Sequence, residues 1–292
     1  MPIYTVNGET PSNIYYVKGN KVFNVYDSQG NELYFTDYPR LKVANYNVGG
    51  WYIGSGTNIP VADKAEYVTL QTNILAELDA DICCFQEYWD EMCDDGTLAS
   101  SIVDDYFEYI NKTDTSTEWQ GHAIATKDLE MSDYESFNFE HSTSGAKTYQ
   151  KCYITIDDKD ICIINTHLSS VEETMLLQFP ELLTLIEDEE YFIIFGDFNT
   201  RITCLASGNV SQVIGSFTSE GCNTANASDD FGVFVTYYSA SNTTSGDRYA
   251  TDHIITSSNI LINSVYINKD KLEDDIAQKI DHIPLIAELV IT

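Results

Sequence analysis

Six apolar stretches of this 292-residue sequence end in side chains that bind hard metal ions or move protons. NYNVGG carries Asn47, DICCFQEY carries Gln86 and Glu87, and INTHL carries His167. YFIIFGDFNTR carries Asp197 and Asn199, RYATDHI carries Asp252 and His253, and IDHIPL carries Asp281 and His282. In the fourth stretch a run that reads as a buried strand stops at Gly196, a carboxylate and an amide. Ionised carboxylates are almost never fully buried without a partner, so something must occupy Asp197. Carboxylates and carboxamides, with no Cys/His set beside them, are the oxygen donors that suit Mg²⁺ or Mn²⁺. Mg²⁺ takes one or two carboxylates and completes its shell with water and phosphate oxygens. A histidine beside such a site can accept a proton from water near neutral pH. The combination suits hydrolysis of a phosphate ester.

Side chains with this task need rigid strands to hold them, and the sequence supplies an alternation of strands and helices after Pro39. LKVANYNV reads as a strand, DKAEYVTLQTNILAEL as a helix with an apolar face at Val68, Ile74, Leu75 and Leu78, and DICCFQEY as a short buried strand. GHAIATK, KCYITI and DICIINTHL are further strands, the last two joined as a hairpin across DDKD. VEETMLLQFPELLTLIEDEE is a helix that Pro180 should bend or split. YFIIFGDF, FGVFVTYY, ATDHIITS, INSVYI and HIPLIAELVI follow as strands, and residues 200–230 read as loop-rich. Hairpins mixed with helical crossovers predict two layered sheets with helices outside.

Residues 1–38 have a different character, with alternating segments YYVKG, KVFNVYD and ELYFTD separated by Gly and Asn turns. They hold no candidate acid, base or ligand. The expectation is a small β-hairpin extension that docks a protein partner or a second copy, or else adds an edge to the main sheet; residues 39–292 form the catalytic domain. No run approaches the roughly 18 apolar residues of a membrane span, so a soluble protein is expected. MPIYTVNGETPSN shows no signal-peptide pattern, and the compartment stays unassigned.

Charge restricts the substrates. The chain has 46 Asp and Glu against 15 Lys and Arg, a net charge of −31 and a pI near 4.1. Proteins that grip polyanions nonspecifically use Lys and Arg to release counterions, so duplex DNA and anionic membranes should both be held weakly. Of only three arginines, Arg201 follows Asp197 by four residues and Arg248 precedes Asp252 by four. Both are candidate phosphate contacts, with pairing to the acidic surface as the plain alternative. The seven cysteines form no CxxC pair or Cys/His cluster that would suggest zinc. Cys83, Cys84, Cys152 and Cys162 fall inside strands, where a thiol acts as a small buried hydrophobe.

Each candidate also has a structural reading. Asn47 before Gly49 and Gly50 suits a turn, Glu87 a helix start, and Asp197-Phe198-Asn199 an Asx turn; Asp252 could pair with Arg248, and Asp281-His282 could cap the last strand. In a strand, neighbouring side chains face opposite ways, so if Asp252 faces a site, His253 faces away and is structural.

Taken in order, NYNVGG, DICCFQE, INTHL, FGDFN, RYATDHI and IDHIPL resemble the motifs of the endonuclease/exonuclease/phosphatase superfamily, the deoxyribonuclease I-like proteins, over roughly residues 40–292. One such motif alone says little; GDFN with a preceding QE, a THL and a terminal DHxP is specific. The resemblance implies a four-layer α/β sandwich with a Mg²⁺ (or Mn²⁺) site at one end of two packed sheets. It makes Glu87 the main metal carboxylate, with Asn47 beside it and Asp281 completing the acidic group. Asp197 and Asn199 would orient water and phosphate, His282 would be the base with its tautomer set by Asp252, and His167 would contact the scissile phosphate or assist the leaving group. Two positions depart from the family pattern: Gly49 stands where many members carry an acidic residue, and Met175 where an arginine is common. The expected activity is metal-dependent hydrolysis of DNA phosphodiesters. Lipid headgroups, phosphoinositides or small nucleotides are the alternative substrates, and an inactive binding relative is a third reading. A bridge between Cys204 and Cys222, across the loop after GDFN, is also expected by resemblance to the deoxyribonuclease branch.

Overall fold

The computed structural model describes residues 38–48, 76–88, 122–141, 148–200, 208–228, 230–238, 248–267 and 282–292, with further strand or helix positions at 13–18, 21–27, 32–33, 69, 73–74 and 107–111. Strands β1 (Asn13–Lys18), β2 (Lys21–Asp27) and β3 (Glu32–Leu33) pair antiparallel in a sheet of their own. One six-stranded sheet contains β4 (Arg40–Asn47), β5 (Ile82–Gln86), β6 (Phe107–Asn111) and β7 (His122–Thr126), joined by β16 (Ile260–Ile267) and β17 (Leu285–Ile291), in the order β16-β17-β4-β5-β7-β6. The other contains β8 (Met131–Asn138), β9 (Thr148–Ile156), β10 (Lys159–His167), β11 (Phe192–Asp197), β12 (Asn223–Thr224) and β15 (Asp252–Thr256), in the order β12-β15-β11-β10-β9-β8. A ribbon of β13 (Tyr237–Tyr238) and β14 (Arg248–Tyr249) stands apart.

The pleat explains how the layers form. On β10, Ile161 and Ile163 join a core with Val43, Ile82, Ile193, Phe195, Ile254 and Leu285, drawn from both sheets, while Cys162 and Ile164 face a second core. That second core packs Met175 and Leu182 of α1 (Glu172–Leu185) and Ile214 and Phe217 of α2 (Gly208–Ser219) against the outer face. Parallel pairs β4/β5 and β10/β11 need crossovers. Helix α1 supplies one, and the other includes helical positions 73–74 and 76–78, where Ile74 and Leu78 are buried. The architecture is the four-layer α/β sandwich.

Several elements depart from the sequence reading. Helix α1 is not split at Pro180, which lies inside it. A mid-helix proline costs about 3 kcal/mol, but fully burying one large apolar side chain contributes about 1.5–3 kcal/mol, and Met175, Leu182 and Ile186 all pack on the sheet. FGVFVTYY is strand only at Tyr237–Tyr238. Strand β8 is largely exposed and has no apolar face to betray it, and α2 lies inside the segment read as loop. The DDKD hairpin forms as expected, with Asp157 and Asp158 at φ 49° and 61° in the left-handed region that two-residue turns require. No described helix is long and apolar enough to cross a membrane.

Candidate active site

Towards one end of the sandwich the inner faces change from apolar to polar. On β4 the inward series is Val43, Asn45, Asn47; on β5 it is Ile82, Cys84, Gln86; on β10 it is Ile163, Asn165, His167; on β11 it is Ile193, Phe195, Asp197. The antiparallel β15 brings Asp252 to the same end, in register with Asp197, which is itself in register with His167. These polar residues share the parity of the inter-sheet core, so the pleat that packs the core also turns them inward.

Asp197 is 2% exposed, and its two oxygens have separate partners. Oδ1 accepts the Asn199 backbone N–H at 2.8 Å, an Asx turn in which Asn199 takes φ 51°. Oδ2 accepts from Asn47 Nδ2 at 2.9 Å and lies 3.4 Å from His167 Nε2 and 3.6 Å from His282 Nε2. The turn and the site therefore use different atoms of one carboxylate. Burial raises the Asp197 carboxyl, to about 6, against the pull of His282. Glu87 follows β5 at φ 53°, a conformation unfavourable for a side chain of this kind, and it places Oε1 3.4 Å from Asn47 Nδ2 and 4.0 Å from His167 Nδ1. Asn199 Nδ2 donates to the Leu168 carbonyl at 2.8 Å and lies 3.0 Å from His167 Nε2. With Nε2 accepting, the His167 proton sits on Nδ1, the Glu87 side.

His282 Nδ1 lies 2.8 Å from Asp252 Oδ2. An ionised carboxylate only accepts, so Nδ1 carries the proton and Nε2 the lone pair, on the side of Asp197. Asp252 is fully buried and also accepts from Thr251 Oγ1 at 2.9 Å and Asn45 Nδ2 at 3.1 Å. The Tyr237 ring meets the His282 ring edge-on at 5.0 Å, and the two residues form a backbone bridge. His253 points the other way: Nε2 lies 2.7 Å from Thr200 Oγ1, and the ring packs on Phe198. Burial lowers its pKa, to about 4.

No protein-family model matches this chain, and no curated protein does. Solved structures do match. An endonuclease/exonuclease/phosphatase from Bacteroides vulgatus aligns over 87% of this chain and 100% of its own, at 16% identity and a TM-score of 0.66. D. rerio TDP2, complexed with single-strand DNA product, aligns over 86% and 98%, at 17% and 0.64. The human Nocturnin catalytic domain, with bound sulfate anion, aligns over 87% and 95%, at 17% and 0.63. The chain shares the deoxyribonuclease I-like fold of these structures.

Within this fold, Asn47, Glu87, His167, Asp197, Asn199, Asp252 and His282 converge on one cluster. Arg201 and Asp281 lie outside the described residues, and Arg248 is placed by its backbone, opposite Tyr238 in the β13/β14 ribbon. Cys204 lies outside the described residues, and the expected bridge to Cys222 lies outside them with it. Cys222 packs, partly buried, against the core beneath α1 and α2. Among the described residues no three His, Cys, Asp or Glu side chains form a metal cage. The partly exposed Glu87 beside the buried Asn47 fits a Mg²⁺ that takes one or two carboxylates and otherwise water and phosphate. Sequence reasoning missed Asn45, Thr251 and Tyr237. Asn45 was accessible, because it lies two residues before Asn47 and shares its face; Tyr237 was not, because only the ribbon brings it to His282.

Proposed function

We propose that this protein is a metal-dependent phosphodiesterase whose substrate is DNA. The observation that carries this reading is the ordered contact Asp252–His282 at 2.8 Å, which turns a histidine lone pair towards the buried Asp197 and its Asn47 and His167 neighbours. Such a pair is built to take a proton from water. Asp252 holds the tautomer and stabilises the imidazolium that forms. Asp197 and Asn199 orient the water and the phosphate, while Asn47 and His167 present N–H groups to the developing charge. Glu87, Asn47 and Asp281 are the residues that would hold Mg²⁺ or Mn²⁺, which when bound supplies positive charge for the phosphate and the leaving oxygen. Arg201 and Arg248 are proposed as phosphate contacts. The DNA product held by D. rerio TDP2 favours a nucleic acid over a lipid headgroup as substrate.

The test is plasmid degradation with Mg²⁺ and with EDTA, beside a panel of small phosphate esters. The expected outcome is cleavage of DNA that EDTA abolishes and that Glu87→Gln removes while the fold is retained. Near-normal turnover in EDTA would remove the metal from the reading. Indifference to DNA beside rapid hydrolysis of a small ester would reassign the substrate.

A further inference from the structure

One pleat below the cluster lies a layer of buried amides. Asn45, Gln86, Asn165 and Gln150 are all fully buried, and they come from both sheets. Gln86 Nε2 donates to Asn45 Oδ1 at 2.8 Å and to Asn165 Oδ1 at 2.7 Å. Asn165 Nδ2 donates to the carbonyls of Phe85 at 3.0 Å and Ala123 at 2.9 Å, and to Gln150 Oε1 at 3.2 Å. The other end of the chain is Asn45 Nδ2, donating to Asp252 Oδ1 at 3.1 Å.

This chain has a single workable polarity. The carbonyls of Phe85 and Ala123 only accept, so Asn165 must turn its NH₂ to them and its oxygen to Gln86. Gln86 must then present its own NH₂, and it uses both protons on the two asparagine oxygens. Asn45, accepting at Oδ1, delivers an N–H to Asp252. Gln86 Oε1 has no hydrogen-bond partner among the described residues. We propose that Asn45, Gln86 and Asn165 are positioning residues that orient the Asp252 carboxylate from beneath, tying Oδ1 to the core so that Oδ2 faces His282. The inference rests on the reading of Asp252 and His282 as the proton-transfer pair.

The experiment compares wild type with Asn45→Ala and Gln86→Met; the second keeps Asn45 in place should the first fail to fold. Ring ¹⁵N NMR at pH 8.5, where imidazoles are neutral, is expected to show His282 protonated on Nδ1 in wild type and a mixture of tautomers in either variant. On DNA, kcat is expected to fall at least tenfold with KM changed less than about twofold. In an Asp252→Asn background, Asn45→Ala is expected to change kcat less than about twofold, because its effect runs through the missing carboxylate. Retention of the wild-type tautomer in both folded variants, or an undiminished effect of Asn45→Ala in the Asp252→Asn background, would overturn the proposal. If wild type cleaves no phosphate ester, the functional reading fails and the tautomer comparison alone decides the positioning role.

Discussion

The two DHI triplets, Asp252-His253-Ile254 and Asp281-His282-Ile283, contain identical residues with opposite surroundings. His282 meets two carboxylates, whereas His253 is 0% exposed, bonded to Thr200 and packed on Phe198. The strand pleat separates them from sequence alone, since His253 must face away from Asp252. Burial of His253 has a consequence for stability. Its ordinary pKa of 6.5 falls to about 4 in the fold, so between those values the unfolded chain binds a proton that the native ring does not. Stability therefore declines as pH falls through this window and the decline levels off below about 4. Between pH 7 and pH 5 the ring accounts for about 2 kcal/mol of lost stability. His253→Gln is expected to lower stability at pH 7 but to show a pH dependence shallower by about that amount, measured by urea unfolding at both pH values. An unchanged pH dependence would mean that the ring titrates normally in the fold.

At the scale of elements, β10 and β11 carry the decisive geometry. The parallel pair sets His167 beside Asp197, and Gly196 lets the strands approach. A Cβ at Gly196 would stand 2.7 Å from Thr166 Cγ2, 2.7 Å from the Thr166 carbonyl and 2.9 Å from the Phe198 ring. The carbonyl belongs to the sheet and cannot swing aside. Gly196→Ala is expected to destabilise the protein by about 1–3 kcal/mol and to lower turnover as Asp197 shifts; equal thermal stability of the two proteins would contradict this packing. The strands that carry the site were legible because each is a short apolar run ending in a polar residue. Strand β8 was not, since its exposed sequence MSDYESFN has no buried face, and α2 was hidden by its glycines and serines. Asn45 and Gln86 were visible as residues, but their polarity could be read only once both sheets and the carbonyls of Phe85 and Ala123 were in place. Tyr237 needed the ribbon.

For the molecule as a whole, the net charge of −31 sets the terms on which a polyanion can approach. If DNA is the substrate, as proposed, few cations are available to hold it away from the site, and each neutralised phosphate contributes about −0.9 to the slope of log K against log salt. A shallow slope of about −2 to −3, corresponding to two or three phosphates, is expected from binding titrations across a salt series. Charge reversal at Arg201 and Arg248 should lower kcat/KM for DNA far more than reversal of a distant lysine. A steep slope, or indifference to both arginines with cleavage intact, would reveal a basic groove elsewhere on the molecule.

The proposed hydrolysis depends most on His282 as the base, held by Asp252 at the polar end of the two sheets. Turnover of plasmid DNA by His282→Ala and His253→Ala, measured side by side under saturating Mg²⁺, tests it most directly. Loss of at least about 10²-fold in His282→Ala, with folded His253→Ala close to wild type, is the predicted result. Full activity in His282→Ala beside an inactive but folded His253→Ala would contradict it.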